Sequence, residues 1–319
     1  MFRYRPARPQ DLARCVLQAR DAFAYNPQDH NDIQAMWIDL LTAGSTVSMV
    51  IEECVSGRIA FFVVTAFVND AFAAQLANAD VPPLTSGYWL EAWRAGRLPV
   101  LTREQASVAN STTGVTLFCI ASGVATDIVE AGQMPFLLSK INDCHPFAFA
   151  GYRMNAIYVE LYDEMTRAWG DTFGYDRLTD FTAWYEQNGG VPSIYDDKHP
   201  YLYGIAKPKA LRKFGSMVTT FFYYTPPCFG FTPPEQELLL WALGGDKDDY
   251  LSDRLCIAPV TVRKRWDAIY RRVADVQPDF LGAAKEGGKR GTEKKGRLLA
   301  YLEHHMEELR PHRWPVVLR

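Results

Sequence analysis

The sequence lacks the closely spaced cysteine pairs that hold structural zinc or form redox-active disulfides. Its six cysteines are at least 25 residues apart, so it contains no Cys-x-x-Cys motif. This spacing excludes a zinc ribbon, a thioredoxin-like site and a disulfide-rich secreted scaffold. We therefore predict no metal site.

Long apolar runs are also missing. The longest, at 59–68, is too short for a membrane span, which needs about 20 residues. The opening residues Met-Phe-Arg-Tyr-Arg-Pro do not form the apolar core of a secretory signal. We therefore expect a cytoplasmic protein with reduced thiols and no membrane contact.

Well-known catalytic motifs are absent from the sequence as well. It has no Walker loop, no Gly-x-Ser-x-Gly, no His-Glu-x-x-His and no Gly-x-Gly-x-x-Gly. The neighbours Cys144 and His145 are better explained by a buried structural cysteine. The acidic residues Glu160, Asp163 and Glu164 are typical of a solvated helix start. On these grounds we predict no catalytic residue, no cofactor and no enzymatic activity.

The sequence is rich in apolar and aromatic residues, which are the material of a folded core. Hydrophobic residues make up 48% of the 319 residues, and this length suggests about two domains. The net charge of −3 gives no overall positive field. Residues 263–297, however, contain 11 Lys and Arg against 5 Asp and Glu. Such a local basic stretch favours nucleic-acid binding in this part of the chain.

Alternating strand and helix patterns predict a mixed α/β domain over residues 1–185. Strands are predicted at 2–6, 46–53, 58–67, 115–122, 156–161 and 177–181, and helices at 11–23, 32–41, 71–79, 128–142 and 164–172. Residues 186–229 contain five prolines and many aromatics with little periodicity. This composition predicts a linker, with one short strand at 221–224.

The clearest local pattern lies at 231–273. Thr232 and Glu235 form a capping box with Pro233 at the first helical position. Two more predicted helices follow, the last of them opened by Pro259. A single apolar stripe runs along that last helix, at Val262, Trp266, Ile269 and Val273. A short helix, a tight turn and a basic amphipathic helix are typical of a helix-turn-helix.

This segment resembles the LuxR-type helix-turn-helix of bacterial transcription regulators. The matching residues are Phe231, Thr232, Pro233, Glu235, Glu237, Leu239, Gly245, Leu251, Leu255, Ile257, Thr261, Val262, Arg263, Ile269, Tyr270 and Arg272. Ala258 stands in place of the family's usual serine cap, and Arg265 in place of its histidine. Lys247-Asp248-Asp249 replaces the usual Ser-Asn-Lys. The resemblance implies a DNA-binding domain at 230–277 whose third helix enters the major groove.

Seven residues of this third helix are the DNA contacts that the resemblance implies. Arg263, Lys264 and Asp267 are expected at base edges, where Arg can read guanine and Asp can accept from cytosine. The other four, expected at phosphates, are Thr261, Arg265, Arg271 and Arg272. For Arg271 and Arg272, a solvated helix end is an equal alternative.

The remaining segment, 278–319, is predicted to form a basic loop and a C-terminal helix at 298–309. Its basic residues between glycines are Lys285, Lys289, Arg290, Lys294, Lys295 and Arg297. They are expected either to add phosphate contacts or to form a solvated charged loop. The helix is expected to dock on the DNA-binding domain or to mediate a dimer.

The N-terminal domain resembles the GNAT acyltransferase fold. The similarity rests on Tyr4-Arg5-Pro6-Ala7 followed by Asp11, on the paired strands at 46–53 and 58–67, and on Phe173-Gly174-Tyr175 before the last strand. That family holds the pyrophosphate of acetyl-CoA on an Arg/Gln-x-x-Gly-x-Gly/Ala loop at a helix N-terminus. No such spacing follows the strand at 115–122. The resemblance therefore implies a degenerate GNAT-like domain over 1–185 that senses a ligand or a partner.

These patterns together predict a two-domain bacterial transcription regulator. A GNAT-like α/β sensor domain would precede an all-α helix-turn-helix domain that binds double-stranded DNA as a homodimer. A small-molecule effector is a further expected partner. An active N-acyltransferase fused to a DNA-binding module is the alternative. A third hypothesis is an interaction protein whose helix-turn-helix no longer binds DNA.

Overall fold

The computed structural model describes residues 2–23, 27–44, 46–84, 87–125, 127–128, 132–162, 164–187, 200–245, 248–282 and 290–313. The chain divides into two compact units. Unit 1 consists of Met1–Phe149 and Arg153–Tyr223, and unit 2 of Ala150–Tyr152 and Tyr224–Arg319. Within the described ranges, no helix is long and apolar enough to cross a membrane.

The described strands of unit 1 form one sheet. They are β1 (Phe2–Pro6), β2 (Met49–Glu53), β3 (Ile59–Val68), β4 (Val115–Val124), β5 (Met154–Leu161), β6 (Asp176–Asp180) and β7 (Tyr201–Ala206). Their order is β1-β2-β3-β4-β5-β7-β6. Strands β4 and β5 are parallel, and the other neighbours are antiparallel. This mixed sheet confirms the predicted α/β class.

Helices cover both faces of this sheet. The described α-helices of unit 1 are α1 (Leu12–Phe23), α2 (His30–Ala43), α3 (Asp70–Ala77), α4 (Tyr88–Arg94), α5 (Arg103–Ser111), α6 (Met134–Phe149), α7 (Glu164–Phe173), α8 (Thr182–Gln187) and α9 (Lys207–Ala210). Short 3-10 helices lie at Pro9–Asp11, Pro27–Asp29 and Met217–Phe222.

The central strands divide their side chains between two layers, because successive residues of a strand point to opposite faces. Phe62, Phe118 and Tyr158 belong to the core that also contains buried residues of α1 and α2. Their neighbours Phe61 and Leu117 line a cavity together with residues of α6 and α7. The layer under α6 and α7 is therefore less completely filled than the layer under α1 and α2.

Two predicted features of unit 1 differ in the structure. The predicted linker at 186–229 contains β7, which pairs with both β5 and β6. Most of β7 is buried on both faces, so it lacks the alternation that marks a half-exposed strand. Residues 221–224 do not form the predicted strand, because the 3-10 helix Met217–Phe222 ends there. Unit 1 thus extends to Tyr223 rather than ending near residue 185.

The helix predicted at 128–142 is interrupted: residues 127–128 are helical, and the long helix begins only at Met134. Gly132 has a φ of +66°, a left-handed conformation that a helix interior does not accept. The helix α6 starts only after this turn, at Met134. This shift carries Cys144 and His145 into the last two turns of α6.

The first three helices of unit 2 lie where the sequence predicts them, and the fourth does not. They are α10 (Pro233–Leu243), α11 (Asp248–Arg254), α12 (Pro259–Val276) and α13 (Arg290–Leu302), followed by the 3-10 helix Met306–Leu309. The Glu235 carboxylate accepts a hydrogen bond of 2.7 Å from the Thr232 amide, as a capping box requires. The apolar stripe of α12 is buried in full. The turn before α12 contains Cys256 with a φ of +50°.

The C-terminal segment differs from its prediction. The helix runs over Arg290–Leu302 instead of 298–309, and a 3-10 helix continues the buried apolar face to Leu309. Lys295 Nζ lies 2.7 Å from a carboxylate oxygen of Asp248, so it does not extend from a free arm. Arg297 pairs with Glu293 one helical turn away. The predicted loop residues Lys285 and Lys289 lie outside the described residues.

Candidate active site

Strands β4 and β5 separate part-way along their length. Their last paired residues are Cys119 and Val159. Beyond this point β4 continues to Val124 on β3, while the end of β5 pairs with β7. Within the described part of the sheet, residues 120–124 therefore have no strand partner on the β5 side. An extended ligand that carries amide groups can pair with such an open edge.

A cavity of about 620 Å³ begins at this separation and continues beneath α6 and α7. Its walls are mainly apolar and include Leu117, Val159, Leu138, Ile141, Met165 and Trp169. A volume of this size falls within the roughly 300–1,000 Å³ of small-molecule sites. The cavity is thus large enough for an extended organic ligand.

A buried carboxylate and a phenol lie where β5 leaves β4. Glu160 is only 5% exposed, and its Oε1 accepts a 2.6 Å hydrogen bond from the Leu84 amide. The Tyr162 hydroxyl donates to Oε2 of Glu160 over 3.0 Å. Both residues are part of the cavity lining, and Tyr162 also packs in the core that contains Phe118 and Tyr158. A carboxylate can accept a proton here, and a phenol can return one to a leaving group.

The predicted surroundings of Glu160, a solvated helix start shared with Asp163 and Glu164, are wrong. Glu164 is exposed at the start of α7, whereas Asp163 lies outside the described residues. Glu160 instead lies within the buried run Val159–Tyr162. An acid within an apolar strand was the signal that could have identified it.

The far end of the cavity contains a buried imidazole. His145 Nδ1 lies 2.9 Å from the Ile141 carbonyl oxygen, so Nδ1 carries the hydrogen and Nε2 is the acceptor in the neutral ring. Burial lowers the pKa of His145 to about 4, although this hydrogen bond acts in the opposite direction. Rings of Phe149, Trp169, Phe173 and Phe221 surround it at about 6 Å. The imidazole is therefore neutral at physiological pH.

The two cysteines near the cavity are poor nucleophiles. Burial raises the pKa of Cys119, at the end of the β4–β5 pairing, to about 12. Burial likewise raises the pKa of Cys144 to about 11, in agreement with its predicted structural role. Since the thiolate is the reactive form, neither side chain is suited to carry a covalent intermediate.

Several buried polar atoms on cavity-lining residues lack a hydrogen-bond partner among the described residues. They are Gln18 Oε1, Asn142 Oδ1 and Trp169 Nε1. Unsatisfied buried polar atoms are uncommon in native proteins and call for an explanation. A bound ligand or water that reaches these side chains would supply one.

The described residues after β4 do not form a glycine-rich phosphate cradle. The helix α6 begins Met134-Pro135, and proline removes one of the backbone N–H groups that such a cradle uses. The amide of Gln133 already donates to the Ile128 carbonyl. Residues 126 and 129–131 lie outside the described residues. Nothing in the described part of this turn compensates for the motif that the sequence lacks.

The predicted DNA-contact residues lie together on α12. Arg263, Lys264, Asp267 and Arg271 are exposed on the face opposite the buried stripe. Thr261 and Arg265 are half-buried. Arg272 is also half-buried, and its Nε donates to the Glu235 carboxylate over 3.1 Å. Arg272 therefore has a structural partner that the phosphate-contact prediction did not anticipate.

Several solved acetyltransferase structures are similar to about two thirds of this chain. An N-acetyltransferase from Staphylococcus aureus Mu50 is 15% identical, with a TM-score of 0.39, over 65% of this chain and 98% of that one. An acetyltransferase assigned to the GNAT family from Desulfovibrio desulfuricans is 12% identical, with a TM-score of 0.36, over 65% and 99%. The ribosomal-protein-S18-alanine N-acetyltransferase from Escherichia coli is 10% identical, with a TM-score of 0.35, over 65% and 94%.

No protein-family model matches the sequence, and no curated protein sequence matches it. At TM-scores below 0.5 these structures do not assign a function, and the geometry of this chain has to indicate it. That geometry, a mixed seven-stranded sheet of described strands with helices on both faces, fits a GNAT-like α/β fold.

These findings correct the predicted function. The sequence predicted a transcription regulator without enzymatic activity, whereas the similar structures are described as acetyltransferases. The local pattern at 231–273 had determined the prediction for the whole chain. The findings favour the alternative hypothesis, an active N-acyltransferase fused to a DNA-binding module.

Proposed function

We propose that unit 1 transfers an acyl group from a thioester donor to an amine. The observation that carries this proposal is the separation of β4 from β5 above an apolar cavity, with Glu160 and Tyr162 at the point of separation. The open edge of β4 is suited to the amide groups of a pantetheine arm. The thioester carbon would then lie near the carboxylate and the phenol.

The chemistry needs no group beyond these residues and the two substrates. The amine nitrogen attacks the thioester carbon, so that a C–N bond forms and the C–S bond breaks. Glu160 accepts the proton that the amine loses, and Tyr162 donates a proton to the departing thiolate sulfur. The raised pKa of Cys119 favours this direct transfer over an acyl-enzyme.

Replacing Glu160 by glutamine should lower kcat by about 10²–10⁴-fold, the usual contribution of a general base. The amide oxygen can still accept hydrogen bonds, so the KM for the thioester should change little. Both constants are measured from the rate of thiol release. The donors are acetyl-CoA and longer acyl-CoA thioesters, and the acceptors are a polyamine and a lysine peptide. The matched control is Glu164→Gln, which removes an exposed carboxylate nearby. Equal rates for the Glu160→Gln variant and the wild type would contradict the assignment.

We also propose that unit 2 binds double-stranded DNA through α12. The supporting observation is the separation of this helix into a buried apolar stripe and an exposed face that carries Arg263, Lys264 and Arg271. A helix of this kind after a tight turn is the part that a helix-turn-helix places in the major groove. Asp267 on the same face would accept from cytosine. The chain would then be an acyltransferase joined to a DNA-binding unit.

The double substitution Arg263→Ala and Lys264→Ala should weaken DNA binding by about 30-fold or more, since each base contact contributes about 1–3 kcal/mol. Fluorescence anisotropy with a randomised duplex pool, and with any sequence enriched from it, measures the affinity over a salt series. Arg313→Ala, which removes an exposed arginine elsewhere in unit 2, is the control. Equal affinity of the double variant and the wild type would refute the role of this face.

A further inference from the structure

We propose that the acyl group transferred by unit 1 carries a medium-length aliphatic chain, which lies in the part of the cavity beneath α6 and α7. This inference rests on the proposed transfer reaction and names its donor class. The reactive carbon would lie at Glu160 and Tyr162, and the end of the chain would lie near His145 and Phe149.

The extent of the cavity supports a chain longer than acetyl. Its lining follows β4 from Gly123 on the open edge, past the strand separation at Cys119, to Leu117. At about 3.3 Å per residue, these six steps of β4 cover roughly 20 Å, which the amide-bearing arm and the acyl chain would share. The volume of about 620 Å³ is several times the roughly 150 Å³ that suffices for benzene in an apolar cavity. An acetyl group would occupy only the first part of this space.

The charge distribution along the cavity gives the chain its direction. Among the described lining residues, Glu160 at the strand separation is the one Asp, Glu, Lys or Arg residue. The far end is formed by Leu117, Ile141 and Phe149, with the neutral ring of His145 between them. A charged acyl group or a nucleotide would lose its hydration there without an ionic partner. A hydrocarbon chain has no such cost and gains from burial.

The entrance to the cavity is also lined by apolar side chains. Met134 at the start of α6 and Met165 in the first turn of α7 both line it, and Met165 is half-exposed. Methionine is flexible and polarizable, and it packs against hydrocarbon chains of differing shape. The described turn before α6 offers no phosphate cradle. The donor would therefore be held chiefly through its chain and its amide-bearing arm.

The first test compares acyl-CoA donors with chains of 2, 4, 6, 8, 10 and 12 carbons, using the wild-type chain. The expected result is a kcat/KM that rises by about fourfold for each methylene buried, which corresponds to about 0.8 kcal/mol. The rise should stop once the chain fills the cavity. A flat or falling series, with efficient acetyl transfer, would overturn the inference and leave the proposed transfer reaction intact.

The second test narrows the cavity with Ile141→Phe. Ile141 is buried on α6 and lines the far part of the cavity. The variant should lose at least 10-fold more in kcat/KM for decanoyl-CoA than for acetyl-CoA. Leu178→Phe, the corresponding enlargement at a partly exposed position of β6 outside the lining, is the control. Far-ultraviolet circular dichroism and urea unfolding check that Ile141→Phe folds, and an equal loss with both donors in the folded variant would overturn the inference.

A binding measurement separates failure of the inference from failure of the proposed reaction. Calorimetric titration with decanoyl-CoA, acetyl-CoA and CoA should give the tightest binding for decanoyl-CoA, weakened by Ile141→Phe. Such binding without any acyl transfer would support the chain site and overturn the proposed reaction. Equal affinity for decanoyl-CoA and CoA would overturn the chain site.

Discussion

Replacing Arg5 by alanine should destabilise unit 1 by about 3–5 kcal/mol, because it leaves the buried Asp11 without its cation and Glu52 with only the exposed Arg3 as a partner. Arg5 donates to Asp11 at 2.6 and 2.9 Å and to Glu52 at 2.7 Å. All three side chains are less than a tenth exposed. These ion pairs join β1 and β2 to the 3-10 helix before α1. Their loss therefore weakens the attachment of this helix to the edge of the sheet.

The matched control for this prediction is Arg3→Ala. Arg3 also donates to Glu52, at 2.6 Å, but its side chain is 58% exposed. Its removal should cost no more than about 1 kcal/mol, as is usual for exposed ion pairs. Urea unfolding followed by far-ultraviolet circular dichroism measures both variants. Similar losses for the two variants would show that the burial of Arg5 does not decide its contribution.

The ion pairs of Arg5 also predict that the stability of unit 1 depends on pH. Burial raises the pKa of Glu52, but hydrogen bonds from Arg5 and Arg3 outweigh this, and the net pKa is lowered. A carboxyl group with a lowered pKa in the folded state stabilises the protein above its unfolded pKa. That stabilisation is lost as the pH falls through the folded value. The loss should be smaller in the Arg5→Ala variant.

The elements of unit 1 were predictable where the sequence shows a helical period or a clear apolar run. The helix at Glu164–Phe173 was found within one residue because its apolar residues follow a helical period, and the strand at Met154–Leu161 was found within two residues from its apolar run, although it is buried on both faces. Strand β7 was missed because its shorter run lies within a proline-rich segment. It is short, lies between Pro200 and Pro208, and is buried on both faces, so its sequence shows no period.

The candidate site could not be derived from the sequence in the same way. Its walls come from β3, β4, β5, α6 and α7, which are brought together only by the order of the strands. No local spacing relates Glu160 to Leu84 or His145 to Phe221. The nearby acidic residues also made Glu160 look like part of a solvated surface. A site assembled from separated segments leaves no motif, whereas the capping box and stripe of 231–273 lie within one segment.

This difference explains how the predicted function went wrong. A motif formed within one segment is easy to recognise. The pattern at 231–273 describes only that segment and carries no information about the function of unit 1. Unit 1 has its own sheet, its own core and its own cavity. Its function has to be inferred from that site, since a fold or a neighbouring segment does not determine the chemistry of a pocket.

Lowering the pH from about 6.5 to about 4 should destabilise unit 1 through His145 by roughly 3 kcal/mol. The unfolded chain takes up a proton on this imidazole near its ordinary pKa of 6.5. The folded chain does not, because burial lowers the pKa of His145 to about 4. Stability therefore has its full value above about pH 6.5 and falls as the pH decreases through this window.

The variant His145→Phe should not show this loss of stability at low pH, since a buried ring is retained but cannot be protonated. His145→Gln provides a second substitution if the phenylalanine does not fit between Phe149 and Trp169. The control is His304→Gln, which removes an exposed histidine of unit 2 and should keep the wild-type slope. Urea unfolding at pH 7.5, 6.5, 5.5 and 4.5 gives the difference between each variant and the wild type. If His145→Phe and the wild type lose stability equally over this range, the imidazole is not held neutral by the surrounding rings, and another group causes the loss.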